Sequence, residues 1–248
     1  KIQLFFKNKN IIHLILNTTQ TILENAKQSI LSQSESIQKL TNYLTDDFAK
    51  TVQLIFESKG RLVVTGIGKS AIIAQKIVAT LNSTGTPSIF LHAAEAIHGD
   101  LGMIQNGDVV LCISKSGNSP EIKVLAPIIK NFGTTLIGMT ANPTSFLATS
   151  SDLILHAHVD AECCPLGLAP TNSTTAQLVL GDAIAVCLMK LRDFQAEDFA
   201  KYHPGGALGK KLLLRVKDML DQTHAPQVSP NASIKKVIME ISEKRLGV

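Results

Sequence analysis

Apolar residues recur at three- to four-residue intervals over residues 13–58, with Ile22, Ala26 and Ile30 followed by Leu44, Phe48, Val52 and Ile55. That spacing puts them on one face of helices, so the pattern predicts helices over residues 13–58, within a helical lead-in taken as residues 1–58. From Arg61 the pattern changes. Short apolar runs, RLVVTG (61–66), PSIFLH (87–92), DVVLCIS (108–114), TTLIGMT (134–140) and DLILHAHV (152–159), alternate with helical stretches. The runs are rich in β-branched residues and bounded mostly by Gly, Pro, Ser or Thr, as strands are. Several are apolar at successive positions, which strands do when both faces are covered. With helices over 70–83, 119–131 and 172–192, this predicts an α/β fold of three layers, αβα, around a five-stranded, mostly parallel sheet. After HPGGALGKKLL the chain changes again, and residues 216–248 read as the start of a further unit too short to bury a core.

Composition narrows the chemistry. The 248 residues are 45% hydrophobic and 18% charged, within the range of globular α/β proteins and outside that of disordered chains. The formal net charge is +4, aromatics make up 4% and tryptophan is absent, which disfavours a nucleic-acid interface. No apolar run approaches the ~20 residues that cross a bilayer. The opening KIQLFFKNKNIIHLILN lacks a small-residue cleavage site and is not read as a signal peptide. Cys112, Cys163, Cys164 and Cys187 show neither zinc-type spacing nor a disulfide framework, and free thiols fit a reducing, cytoplasmic setting.

The stretch VVTGIGKSAIIAQKI (63–77) carries the first candidate chemistry. A Walker A loop needs a glycine where Val63 stands. Gly66, Gly68 and Ala71 match a dinucleotide fingerprint, yet the next strand ends at His92 without the acid that holds a ribose. What remains is a sharp turn that places Lys69 and Ser70 at a helix N-terminus, where free N–H groups favour an anion. Two further turns have the same character. SKSGNSPEI (114–122) clusters Ser114, Ser116 and Ser119 around Gly117, and AECCPLGLAPTNSTTAQL (161–178) brings Thr171, Ser173 and Thr174 to another helix start. Any one such cluster is commonly a helix cap. Three on one rim of a parallel sheet point to a phosphorylated ligand. His92, His98, His156, His158 and Cys163 suggest a metal, but strand-end polar residues account for them, and neither metal nor cofactor is expected.

These motifs, with STGTPSIFLHAAEAIHGDLGMI (83–104) and HPGGALGKKLL (203–213), resemble the sugar isomerase (SIS) domain of D-arabinose 5-phosphate isomerases over most of residues 15–248. The resemblance implies a SIS domain over 59–215 and the incomplete start of a CBS module over 216–248. It implies interconversion of D-ribulose 5-phosphate and D-arabinose 5-phosphate, supply of the sugar acid Kdo, and a homo-oligomer, by family a tetramer. Carried over position by position, it makes Lys69, Glu121, Glu162 and His203 catalytic. Gly68, Ser70, His98, Ser114, Ser116, Gly117, Ser119, Thr171, Ser173 and Thr174 are expected to line the sugar phosphate. Asn118 departs from the family, which often has an acid or another polar residue there. Aldose–ketose isomerisation calls for a general base of raised pKa; Glu162 is the first choice and Glu121 the alternative. The rival readings are a phosphosugar-sensing regulator without chemistry, and an isomerase of a different sugar phosphate.

Overall fold

The computed structural model describes residues 2–206, 209 and 226–244; residues 216–225 and 245–248 of the expected CBS start lie outside them. The chain divides into two compact units, Lys1–Phe194 and Gln195–Val248.

In the first unit, helix α1 (Ile2–Leu40) and α2 (Asp46–Glu57) precede β1 (Leu62–Gly66), α3 (Lys69–Ser83), β2 (Ser88–His92) and the short α4 (Ala93–Ala96). There follow β3 (Val109–Ile113), α5 (Pro120–Asn131), β4 (Thr135–Thr140), α6 (Phe146–Ser150), β5 (Leu153–His156) and α7 (Asn172–Leu191). Helix α1 starts earlier than the apolar pattern predicts because no Gly or Pro interrupts residues 2–40. Its chosen apolar face is not a core face: Ile22 and Ile30 are 60% and 66% exposed. The helix is held by its C-terminal half instead. Asn172 Nδ2 donates to the Ser32 and Ser36 hydroxyls at 2.9 and 3.0 Å, and Leu40 is buried.

All five strands are parallel, in the order β2-β1-β3-β4-β5. Every residue of β1 and of β3 is buried, which explains their unbroken apolar runs. Side chains alternate between two cores, as the two-residue strand period requires. Leu62 and Val64 join α2, α3 and α7 on one face, while Val63 joins α4, α5 and α6 on the other. Helix α7, expected over residues 172–192, is long and apolar enough, by length and composition, to cross a membrane, although Gln177 and Asp182 interrupt its apolar run. Its nine buried residues include Asn172, Ser173 and Gln177, so it is built as the central covering helix of this layer. It packs closely on α3: a Cβ on Gly181 would strike the Ile77 side chain.

The strand order fixes where a ligand can sit. The chain leaves β1 toward β2, then returns across β1 to β3, so the loops after β1 and β3 diverge at their carboxyl ends. Such a reversal opens a crevice in open α/β sheets. The opposite rim is closed by Arg61, whose guanidinium bonds Asp108 at 2.8 Å, and carries a cleft of about 300 Å³ lined by Leu54, Gly107 and Thr135. None of the predicted site residues line that cleft.

The second unit begins with α8 (Ala196–Tyr202), started by a reciprocal capping box between Gln195 and Asp198, and contains α9 (Ile234–Lys244).

Candidate active site

Each predicted turn of the first unit lies at the carboxyl end of a strand. After β1, Gly68 takes φ +59°, a backbone conformation that favours glycine, and α3 begins at Lys69. Lys69 is exposed beside the free amides of that helix. The Ser70 hydroxyl is engaged elsewhere: it donates to Gln177 Oε1 at 3.2 Å, between α3 and α7.

The serine loop after β3 is shaped largely by its own hydrogen bonds. Gly117 N donates to Ser114 Oγ at 3.1 Å, and Asn118 N donates to Ser116 Oγ at 3.3 Å. Gly117 has φ +65°, and a Cβ there would lie 2.6 Å from Ser145 Cβ. Glycine is therefore required by both conformation and space. The departure at Asn118 has a defined use. Its Oδ1 accepts from Phe146 N at 3.0 Å, capping α6, a bond that a carboxylate at this position would also accept. Ser119 is the N-cap of α5 without a side-chain capping bond, Pro120 takes the first helical position, and Glu121 follows, half-buried, in the first turn.

Glu162 is the most constrained group of the rim. Its side chain is 1% exposed, and Lys115 Nζ lies 2.6 Å from Oε1. Oε2 accepts from Thr171 N at 2.8 Å, Thr171 Oγ1 at 3.0 Å and Ser173 N at 3.2 Å. Burial alone would raise its pKa. Lys115 and the amides at the start of α7 outweigh that and lower it to about 2. The Ser173 hydroxyl adds to this effect without meeting full hydrogen-bond geometry. The raised pKa expected of Glu162 is thus not found, because the carboxylate is a buried ion-pair partner and a helix cap. Thr171 is spent on Glu162 and on Cys163 N at 3.1 Å, and Thr174 Oγ1 donates to the Thr171 carbonyl at 2.9 Å. Beyond Cys163, the amides of Ala169, Leu166 and Leu168 lower the pKa of the Cys164 thiol.

Among the described residues, four buried polar side-chain atoms near the strand ends have no hydrogen-bond partner: Thr65 Oγ1, His92 Nδ1, Ser119 Oγ and Ser173 Oγ. Thr51 Oγ1 on α2 and Asn172 Oδ1 at the start of α7 also lack one. His92 closes β2 opposite Gly66 of β1. Buried polar atoms are nearly always paired, so orphans concentrated at one rim mark a place built for a polar ligand. Sequence reasoning missed Thr65, which reads as part of an apolar strand, and Lys115, whose partner lies 47 residues away. His98 is exposed just beyond α4. Among the described residues, no group of three His, Cys, Asp or Glu side chains is placed to hold a metal.

His203 belongs to the second unit. Its ring stacks on Phe199 with centroids 3.8 Å apart, and its Nδ1 lies 2.9 Å from the Phe199 carbonyl oxygen.

The sheet order and the three anion-ready turns fit a doubly wound α/β domain that binds a ligand at its carboxyl rim, and the SIS domain profile matches residues 54–187. Arabinose 5-phosphate isomerase KdsD of Pseudomonas aeruginosa is 49% identical over 236 residues, covering 94% of this chain and 72% of that protein. The Yersinia pestis protein of the same name is 50% identical over 223 residues, 90% of this chain and 68% of its own. A solved Escherichia coli CFT073 protein in complex with arabinose 5-phosphate is 40% identical, with a TM-score of 0.72, covering 75% of this chain and 98% of that one. The chain belongs to the arabinose 5-phosphate isomerase family of SIS-domain proteins.

Proposed function

We propose that this protein interconverts D-ribulose 5-phosphate and D-arabinose 5-phosphate through an enediolate. The observation that carries the reading is the concentration of unpartnered buried polar atoms and helix N-termini at the carboxyl rim. Family membership and the arabinose 5-phosphate complex of the E. coli CFT073 relative support the choice of sugar.

The phosphate is assigned to the serine loop, with Ser116, Ser119 and the amides of α5 from Glu121 onward as donors and Gly117 shaping the turn. Lys69 supplies positive charge to the phosphate or to the enediolate oxygens. In the ketose-to-aldose direction a proton leaves C1, the electron pair forms the C1–C2 double bond, and the C2 carbonyl becomes an enediolate. The C1 hydroxyl proton passes to the C2 oxygen. The C1 oxygen becomes the aldehyde carbonyl as its electron pair displaces the C1–C2 double bond, and the base returns its proton to C2. A proton carrier works best with a pKa near the operating pH. Glu162, held at about 2, fits a fixed anion that organises the site, and Glu121, in the open first turn of α5, takes the proton. His203 is assigned to opening of the arabinose 5-phosphate furanose on its HPGG motif.

The same reading places the enzyme in the cytoplasm, as a homo-oligomer without nucleic-acid or membrane partners, feeding Kdo and surface polysaccharide synthesis. It assigns residues 59–215 to the SIS domain, 1–58 to its helical lead-in and 216–248 to the start of a CBS module. Incubation with ribulose 5-phosphate tests the function directly. Appearance of arabinose 5-phosphate supports it; saturable binding without turnover supports a sensing role; turnover only of other sugar phosphates changes the substrate.

A further inference from the structure

The HPGG segment shows how its histidine is held. His203 is the residue after α8, and its backbone leaves the helix at φ −127°, ψ 52°, so the side chain folds back over the last turn. Two contacts then fix the ring. Nδ1 lies 2.9 Å from the Phe199 carbonyl oxygen, one of the final helix carbonyls that lack an intrahelical partner. The imidazole also lies against the Phe199 ring with 3.8 Å between centroids and 12° between planes. A carbonyl oxygen only accepts, so Nδ1 carries the hydrogen and the neutral ring keeps its lone pair on Nε2.

The surroundings hold this arrangement in place. Helix α8 is anchored by the Gln195–Asp198 capping box, and Lys201 Nζ bonds Asp198 Oδ1 at 2.8 Å. Behind the ring, Gly206 N donates to the His203 carbonyl at 3.1 Å, and a Cβ on Gly209 would collide with that same oxygen. The glycines of the motif thus let the chain close tightly on the backbone of His203.

We propose that Phe199 is a positioning residue for His203, setting its ring plane and presenting Nε2 as its working nitrogen. The inference rests on the reading of His203 as a catalytic residue. In ring opening, Nε2 takes the proton from the anomeric hydroxyl of arabinose 5-phosphate. The C1 oxygen then becomes the carbonyl, and the bond from C1 to the ring oxygen breaks. Its electron pair goes to that oxygen, which is protonated from water. A ring held in one plane and one tautomer needs no search for the productive geometry.

The full chain, labelled with ¹⁵N-histidine, is followed by long-range ¹H–¹⁵N NMR at a pH where the ring is neutral, beside steady-state kinetics from arabinose 5-phosphate. The native protein is expected to show His203 as the Nδ1–H tautomer. Phe199→Leu should lower kcat by about tenfold, leave KM within about twofold, and give a mixture of tautomers. Phe199→Tyr, which keeps an aromatic plane, should recover most of the lost kcat. An Nε2–H tautomer in the native protein, or native kcat in Phe199→Leu, would overturn the proposal. If His203→Ala turns over at the native rate, the catalytic reading of His203 falls and the positioning role with it. That result is separable from one in which His203→Ala is inactive and Phe199→Leu is not impaired.

Discussion

Lys115 Nζ and Glu162 Oε1 are 2.6 Å apart, an ion pair that ties the loop after β3 to the loop after β5. Glu162 is sequestered from solvent while Lys115 remains 43% exposed, so the pair has one buried and one wet partner. Removing the lysine leaves the carboxylate to the Thr171 hydroxyl and the Thr171 and Ser173 amides. Lys115→Met is expected to destabilise the protein by about 1–2 kcal/mol, less than the loss of a fully buried partner because water already screens the lysine. Urea unfolding at neutral pH measures it.

The same carboxylate makes stability depend on acid in a defined window. Its folded pKa is lowered from 4.5 to about 2, so the unfolded chain binds the proton more tightly. The stabilisation is fully present above 4.5 and is lost as pH falls toward 2. Burial works to raise the pKa values of Asp108 and Asp152, but Arg61 and Lys130 outweigh it and lower both, so these two contribute their own acid dependence. The comparison of native protein with Glu162→Gln isolates the Glu162 share. The difference in unfolding free energy between them should shrink by about 2 kcal/mol between pH 6 and pH 3.

Proton transfer is assigned to Glu121, so Glu121→Gln should reduce kcat by roughly 10²–10⁴. Binding of the sugar phosphate, followed by calorimetry, should persist. Exchange of the C1 hydrogen with deuterated water should cease together with turnover. Continued exchange in this variant would return the proton-carrying role to Glu162.

Gly117 is required twice over, by its φ of +65° and by the Ser145 side chain facing it. Gly117→Ala is expected to cost about 1–3 kcal/mol of stability. It should also raise KM for the sugar phosphate more than it lowers kcat, because the damage falls on the phosphate cradle. Thermal unfolding and initial-rate kinetics test the two parts separately.

The parallel sheet was legible because β1, β3 and β4 are covered on both faces and therefore read as unbroken apolar runs. Local turns were legible for a related reason. Gly68 and Gly117 mark positive φ values, and such residues announce their conformation within a few positions. Long-range pairing left no comparable sign. Nothing near Lys115 indicates Glu162, and nothing near Ser70 indicates Gln177. Helix α1 shows a different limit: its period marks a helix correctly, yet Ile22 and Ile30 face outward, since periodicity identifies a stripe without saying what covers it. Glu162 was singled out by motif, but its ionisation depends on partners assembled only by folding.

Thr171 N and Oγ1 both reach Glu162 Oε2, so residues 163–170 leave the body of the domain and return to it through one clasped gateway. Leu166 and Leu168, 78% and 79% exposed, stand on that excursion, outside both apolar cores. Changes of length or sequence there are borne by the clasp, with β5 and α7 left in register. The segment is therefore a natural place for an insertion, provided that the acid at one end of the clasp and the threonine at the other are kept.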